Sequence, residues 1–563
     1  MKLSLSSFFC DKLLQYSKQT IFSNRIKYED ILSKMDHYCH LFRSYNIQPQ
    51  SRICISSNKK NVDWISIMLA TWKMESIFIP IPNPSNPYIL NKIHPHLLFT
   101  EIEKNTKCND LSSFFGTDKK IMMYDDDVVQ SSSYHCHQIS SFSSENIIHL
   151  IQYKDIHPTI NPPHQYSHIN HKNNDTNDIN YWCNNKEKDN HHDNEDNIAL
   201  ILFTSGTTNE PKGVALSHEN ILFNLFHIND LFGHHIYRND LCFSLLPWYH
   251  CYGLVCELLF LLSNGCEIRA TRKQKPSIHE LKWYRPTLLF LVPKILDGIY
   301  KSPLRKQLPS QFFKMLVFGD RIRMISVGGS YCPPFLIDYF TNELKIPIYQ
   351  GYGLTEHSPM ISLNTIDSNR IGSVGKLFPG IQTKISRKDE FMVFSPSLML
   401  GYVHSVHPHT NKISLSSPFD KDGFFNTGDK AYLDKDGYLY ITGRTKDEYK
   451  LLNGKYVNPI YLESCYQTSA WIEQIFVYAN ETRTNNHCLV YSSRPNASRS
   501  IIEKELENIS TKYNINKYEI PNKIHLLVHP LKQEDGYLSL KMEWKRDFVI
   551  KNISNLLKNK KNA

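Results

Sequence analysis

The chain has 563 residues, 41% of them hydrophobic, which is too long for one ordinary core and apolar enough to fill two or more. Its formal charge of +9, from 64 Lys+Arg against 55 Asp+Glu, is a mild excess with no long run of like charge in the first 440 residues, which argues against a nucleic-acid clamp. The 13 cysteines lie scattered from Cys10 to Cys488 without the paired spacing of a structural zinc site, and reduced, mostly buried thiols are expected.

The first ten residues, MKLSLSSFFC, form a short half-polar run that Asp11 and Lys12 interrupt before a signal core develops. Nothing beyond it reaches the roughly 18 consecutive apolar residues of a membrane span. A cytoplasmic protein, or one peripheral on an intracellular membrane, is expected. The segment YEDILSKMDHYCHLF then predicts an amphipathic helix and RICIS (52–56) a short strand; WISIMLATWKM predicts a second helix and IFIPIP a second buried strand. Such alternation predicts a layered α/β architecture. Residues 152–197 change character to an Asn-, Asp- and His-rich stretch with too little apolar surface to offset its ordering entropy, so an unstructured insertion is expected. Its His168, His171, His191 and His192 could bind a metal, but a compositionally biased loop is the better account of them.

Apolar patterning resumes at NIALILFTSG, a strand running into a small, hydroxyl-rich turn. A second compositional step near residue 442 predicts a large domain over 1–442 and a small α+β domain over 443–563, with a Lys-rich end, KNKKNA. No internal repeat is visible.

The strongest chemical signal is Thr204-Ser205-Gly206-Thr207-Thr208-Asn209-Glu210-Pro211-Lys212-Gly213. Its four hydroxyls and two glycines follow a buried strand, so backbone N–H and side-chain O–H groups can wrap phosphates while Lys212 supplies a point charge. An ordinary Ser/Thr turn would not need the Pro-Lys-Gly that follows. This stretch resembles the phosphate loop of the adenylate-forming superfamily, which includes acyl-CoA synthetases, luciferases and peptide-synthetase adenylation domains. Further segments resemble that superfamily in the same order. Leu246-Pro247-Trp248-Tyr249-His250 is similar to its aromatic-His segment, which implies His250 between the acid and the phosphates. Ser326-Val327-Gly328-Gly329-Ser330 resembles the glycine-rich strand end where nucleotide approaches backbone. Gln350-Gly351-Tyr352-Gly353-Leu354-Thr355-Glu356 resembles the adenine and magnesium segment, with Tyr352 stacking on adenine, Thr355 on the α-phosphate and Glu356 a hard oxygen ligand for Mg²⁺.

The resemblance continues with Asn426-Thr427-Gly428-Asp429, which implies Asp429 on the ribose hydroxyls. Gly443-Arg444-Thr445-Lys446 and the loop after it imply Arg444 on ribose or phosphate, Lys446 as the hinge of a mobile small domain, and Lys450 in the second half-reaction. The implied activity is ATP-dependent conversion of an acid to an acyl-adenylate and then, with coenzyme A, to acyl-CoA, with the active site where the large and small domains meet. The implied partners are small molecules, with no nucleic acid; peripheral membrane association and oligomeric state stay open.

Two departures stand out. The family's closing segment carries a lysine that serves adenylation, and the gapless match Gly536-Tyr537-Leu538-Ser539-Leu540-Lys541-Met542-Glu543-Trp544-Lys545-Arg546 puts Glu543 at that position, an anion where transferring phosphates need a cation. Lys541 and Lys545, two residues to either side, are the candidates to replace it. Asn209 stands where the family has glycine, a milder change because Asn tolerates left-handed backbone. The run Lys450-Leu451-Leu452-Asn453-Gly454-Lys455-Tyr456-Val457 resembles the long-chain fatty acyl-CoA synthetases. The stretch between Pro293 and Ile325 lacks the larger insertion of many eukaryotic long-chain enzymes, so a medium-chain acid stays open, as do another acceptor or acid and an adenylation-impaired binding protein.

Overall fold

The computed structural model describes residues 4–22, 26–82, 86–101, 120–124, 197–204, 210–271, 278–387, 389–407, 410, 412–538 and 544–558. The expected insertion, save residue 197, lies outside them with its four histidines, and so do Ser205, Gly206, Thr207, Thr208, Lys541 and Glu543. The chain divides into two compact units, one of Met1–Ser277, Leu354–Met360 and Ser395–Pro418, the other of Ile278–Gly353, Ile361–Phe394 and Phe419–Ala563.

In the first unit the YEDILSKM pattern forms the helix Tyr28–Ser44, whose Ile31, Met35, Tyr38, Cys39 and Phe42 are buried at helical spacing. Glu29 and Asp30 complement the positive end of its dipole. It packs against the helix Val62–Lys73, which starts at Asn61, whose side chain accepts the Trp64 N–H at 2.9 Å. These helices accompany an eight-stranded sheet in the order Ile413–Ser416, Gly401–Val406, Lys212–Ser217, Ile198–Thr204, Ile77–Ile81, Arg52–Ser56, Leu97–Glu101, Lys120–Tyr124. The last five run parallel. Arg52–Ser56 and Ile77–Ile81 are buried throughout, as strands covered on both faces must be, which is why they read as unbroken apolar runs. Lys212–Ser217 reverses direction against Ile198–Thr204, so Thr204 and Lys212 face each other where the central strand ends. The core of this sheet includes Cys54, Ile79, Leu98, Ile201, Ala215 and Val403.

In the second unit three parallel strands, Leu288–Leu291, Met324–Val327 and Ile348–Gly353, lie side by side with Leu291 opposite Val327 and Val327 opposite Gln350. That register aligns their C-terminal ends, where ligands bind in open α/β sheets. An antiparallel hairpin, Asp429–Leu433 with Leu439–Arg444, follows later in the chain. From Tyr449 onward the chain builds its own core of Val457, Leu462, Ile475, Val477, Ile502 and Leu506 between the sheet of Gln474–Ala479, Asn486–Tyr491 and Lys523–Leu526 and the helices Pro459–Tyr466 and Arg499–Lys512. The ten described cysteines are free, and all but Cys10 are buried. Among the described residues no helix is long and apolar enough to cross a membrane.

Candidate active site

In the first unit, Thr204 closes the central strand and faces Lys212 across the hairpin, its Oγ1 3.5 Å from the Lys212 carbonyl oxygen. Lys212 is exposed, and its ammonium lies 5.1 Å from the centre of the Tyr402 ring. The Tyr402 hydroxyl donates to Glu356 Oε1 at 2.8 Å. Burial, and then the neighbouring Glu356 charge, hold the Tyr402 phenol well above its ordinary pKa, so it stays a donor. A cation and a carboxylate thus flank one aromatic ring, a disposition suited to a phosphate chain on the lysine side and a hard metal ion on the carboxylate side. Tyr402 itself carries no mark in the sequence that would have singled it out.

Glu356 belongs to the short turn Thr355–His357, and the backbone fixes it there by accepting the Met399 N–H at 2.8 Å. The next residue, His357, is fully buried between two serines, with Ser395 Oγ 3.1 Å from Nε2 and Ser397 Oγ 2.8 Å from Nδ1. Burial depresses its pKa to about 3, so the ring is neutral and locks the turn as a hydrogen-bonded strut.

His250 sits where the aromatic-His segment turns into a helix. Its N–H donates to the Pro247 carbonyl at 3.2 Å, its carbonyl accepts the Leu254 N–H at 2.8 Å, and its ring lies 4.8 Å from that of Tyr249. The helix Tyr252–Leu259 is of π type, a form found often at functional sites. It can begin so close to the turn only because Gly253 lacks a side chain: a Cβ there would lie 2.3 Å from the Pro247 oxygen. Beneath this turn lies a charged cluster that sequence reading missed. Lys60 Nζ donates to the carbonyl and hydroxyl oxygens of Ser244, both at 2.9 Å. The Ser244 hydroxyl donates to Glu257, and the Trp248 indole N–H reaches Ser244 Oγ and Glu257 Oε1, each at 3.2 Å. Burial pushes the Glu257 carboxyl up and the Lys60 ammonium down, each charge partly restoring the other. The available signal was a single acid inside the apolar run GLVCELLFLL.

In the second unit, Gly328 and Gly329 leave the end of the strand Met324–Val327, with Gly329 at φ +88°, a conformation that excludes most side chains. Gly351, Tyr352 and Gly353 end the neighbouring strand. The Tyr352 hydroxyl donates to Asp429 Oδ2 at 2.5 Å, and Arg444 Nε donates to Asp429 Oδ1 at 2.9 Å. The hairpin register places Asp429 directly opposite Arg444, which explains how residues 15 apart in sequence meet. Asp429 is only 2% exposed; burial raises its pKa against the opposing pull of Arg444 and Tyr352.

Lys446 lies in the turn just past this hairpin, where the Thr445 N–H donates to the Gly428 carbonyl at 3.0 Å. Lys450 is exposed, with its ammonium 5.5 Å from the Tyr456 ring. Further along the chain Leu538 pairs with Trp544 in an antiparallel bridge. Trp544 donates its indole N–H to the Ile475 carbonyl at 3.1 Å, and Arg546 pairs with the buried Glu463 at 2.9 Å. Lys545 stands exposed between these two anchors, fixed in position by residues that cannot move without disturbing the local core. The described candidates therefore gather as Lys212 and Glu356 around Tyr402, and as Tyr352 and Arg444 on Asp429, while Lys450 and Lys545 are both exposed in the chain beyond Tyr449.

Solved and curated proteins are similar to this chain in fold and in sequence. The solved anthranilate CoA ligase AuaEII, in complex with anthranoyl-AMP, superposes with a TM-score of 0.73 at 16% identity over 98% of both chains. The probable 4-coumarate–CoA ligase 3 of Dictyostelium discoideum is 31% identical over 47% of this chain and 48% of its own length. The peroxisomal long chain acyl-CoA synthetase 6 of Arabidopsis thaliana is 22% identical over 64% of this chain and 61% of its own. The chain spans about half the length of the first of these curated relatives and under two thirds of the second. With the α/β adenylate-forming fold in place, and with the model of the AMP-binding enzymes matching residues 14–403, the chain belongs to the AMP-binding enzyme family.

Proposed function

We propose that this protein activates a carboxylic acid with ATP and passes the acyl group to coenzyme A. In the first step a carboxylate oxygen attacks the α-phosphorus of ATP, forming the acyl-adenylate and releasing pyrophosphate. In the second the coenzyme A thiolate displaces AMP, leaving the thioester. The observation that carries the reading is the Tyr352–Asp429–Arg444 constellation at the end of a parallel strand. Each Asp429 oxygen accepts one hydrogen bond and keeps a lone pair, which suits the two hydroxyls of a ribose, while the Tyr352 ring offers a face for adenine. Because Asp429 is nearly enclosed and the Arg444 side chain is 53% exposed, Arg444 is the group that swings aside to admit the ribose.

Lys212 and the loop before it would neutralise the phosphates. Glu356 offers one oxygen to Mg²⁺, and the described residues hold no cluster of three or more His, Cys, Asp or Glu fit for an ion, so phosphate oxygens and water would complete the shell. That ion, when bound, supplies charge neutralisation on the transferring phosphates. His250 would orient the acid, with Gly328 and Gly329 letting the nucleotide pass close to backbone and Thr355 reaching the α-phosphate. The small domain over 443–563 would turn about Lys446 to bring Lys450 to the second step; its separate core after Tyr449 supports motion as a body. Lys541 or Lys545 would serve where Glu543 replaces the usual lysine.

The acid we propose is a fatty acid, on the strength of the Lys450–Val457 segment and the similarity to a protein named long chain acyl-CoA synthetase. An aryl acid is the second reading, favoured by the 31% identity to a protein named 4-coumarate–CoA ligase. Acid-dependent ATP–pyrophosphate exchange with Mg²⁺, run with C8 to C20 acids and with 4-coumarate, tests both. Exchange with fatty acids, abolished in Asp429→Ala, is the expected result. Exchange with 4-coumarate alone overturns the fatty-acid reading, and silence in the wild type beside activity in Glu543→Lys overturns the assignment of Lys541 or Lys545.

A further inference from the structure

The helix Ser310–Phe318 has the sequence SQFFKMLVF and is apolar on opposite sides. Phe313 and Phe318 are buried, whereas Phe312 is 68%, Met315 59% and Leu316 40% exposed. A helix apolar all round is normally enclosed by protein or by lipid. Its outer face does not stand alone. The short helix Leu281–Tyr284 packs beside it and carries Trp283, 76% exposed, and Leu304 at 43% belongs to the neighbouring Leu304–Gln307 helix. A bidentate ion pair joins the ends of the first two elements, Arg285 Nε and Nη2 to Asp320 at 2.6 and 2.5 Å.

Basic residues predominate in this part of the chain. Residues 278–323 contain nine Lys and Arg against three Asp and Glu. Two of the three acids are already neutralised, Asp320 by Arg285 and Asp297 by Lys294 and Lys301. Lys282 lies 4.9 Å from the centre of the Trp283 ring, and Lys314 Nζ donates to the Lys345 carbonyl at 3.3 Å.

We propose that this face is a membrane-docking surface: Trp283, Phe312, Met315 and Leu316 enter the acyl boundary of an anionic bilayer while Lys282, Lys306, Lys314 and Lys345 engage its phosphate headgroups. Two features favour a bilayer over a protein partner. Basic residues outnumber acidic ones three to one over residues 278–323, which complements anionic headgroups. An indole beside a lysine is also the pairing that settles at the depth of lipid headgroups, the ring in the apolar zone and the ammonium in the polar one. The surface does not depend on which acid the enzyme activates, so the proposal stands apart from the function argued above.

The test uses the full chain and vesicles of phosphatidylcholine, with or without phosphatidylserine, in which some acyl chains carry bromine. The wild type is expected to float with phosphatidylserine vesicles at low salt and to leave them at high salt as screening grows. Binding by Trp283→Ser/Phe312→Ser/Met315→Ser is expected to fall on the order of tenfold or more, with an unchanged circular dichroism spectrum. Brominated chains are expected to quench part of the tryptophan fluorescence of the wild type but not that part in Trp283→Phe. Equal binding to uncharged vesicles, binding unaffected by the triple substitution, or quenching that survives Trp283→Phe each overturns the proposal. So does a wild-type dimer that the triple substitution makes monomeric, since the face would then be covered by a second copy.

Discussion

Lys60 and Glu257 both hydrogen-bond the Ser244 hydroxyl, and the attraction between their charges offsets the removal of two charges from water only while both are present. Lys60→Met leaves the Glu257 carboxylate enclosed and uncompensated, so a loss of about 3 kcal/mol is expected. The paired change Lys60→Met/Glu257→Gln keeps an acceptor for the Trp248 indole and removes both charges, so it is expected to cost less than Lys60→Met alone. Denaturant unfolding of the two single variants and the double closes the cycle, and additive losses would show that the two side chains do not sense each other. Single residues were also where the sequence was least explicit. Lys212, Tyr352, Asp429 and Arg444 were found because they sit in spaced motifs. Tyr402 and Lys60 were not, because each acts through a contact between residues far apart in the chain, and Lys60 reaches Ser244 across 184 positions.

At the scale of elements the alternating apolar patches were legible because local periodicity and burial coincide: RICIS and IFIPI became fully buried strands, and YEDILSKMDHYCHLF a helix with its apolar side inward. What periodicity does not carry is how closely two elements approach. The helix Tyr252–Leu259 presses its first turn onto Pro247, and Gly253 is the residue that permits it. Gly253→Ala places a methyl 2.3 Å from a backbone oxygen, and neither partner is the free end of a flexible side chain. The helix start must retreat, with an expected loss of about 1–3 kcal/mol. Because the same turn carries His250, activity is expected to fall more than stability does. Thermal unfolding beside acid-dependent pyrophosphate exchange checks this, and a fully stable, fully active Gly253→Ala would mean the turn has slack.

For the whole molecule, the response to acid is a sum of opposed contributions. His357 between its two serines has its pKa depressed to about 3, and His218, whose Nδ1 accepts the Leu5 N–H, to about 4, both by burial. In the unfolded chain each titrates near the ordinary histidine value of about 6.5. Above that value both states hold the neutral ring and stability does not change. As pH falls below it the unfolded chain takes up protons first, so each histidine removes up to about 1.4 kcal/mol per pH unit until its folded pKa is reached. Glu463, raised by burial to about 7, works the other way, since its folded form binds a proton that the unfolded form releases down to the ordinary carboxylate range. The measured slope between pH 6.5 and 5 is therefore a difference, and the wild type alone cannot assign it. Comparison with His357→Gln can, because glutamine offers a donor and an acceptor to Ser395 and Ser397 but takes up no proton. The variant is expected to be less stable at pH 7, with its deficit shrinking by about 2 kcal/mol on going to pH 5 as the wild type alone loses stability. A deficit that stays constant across that range would mean that His357 titrates alike in the folded and unfolded chains, and the strut beneath Glu356 would then owe nothing to the burial of a neutral ring.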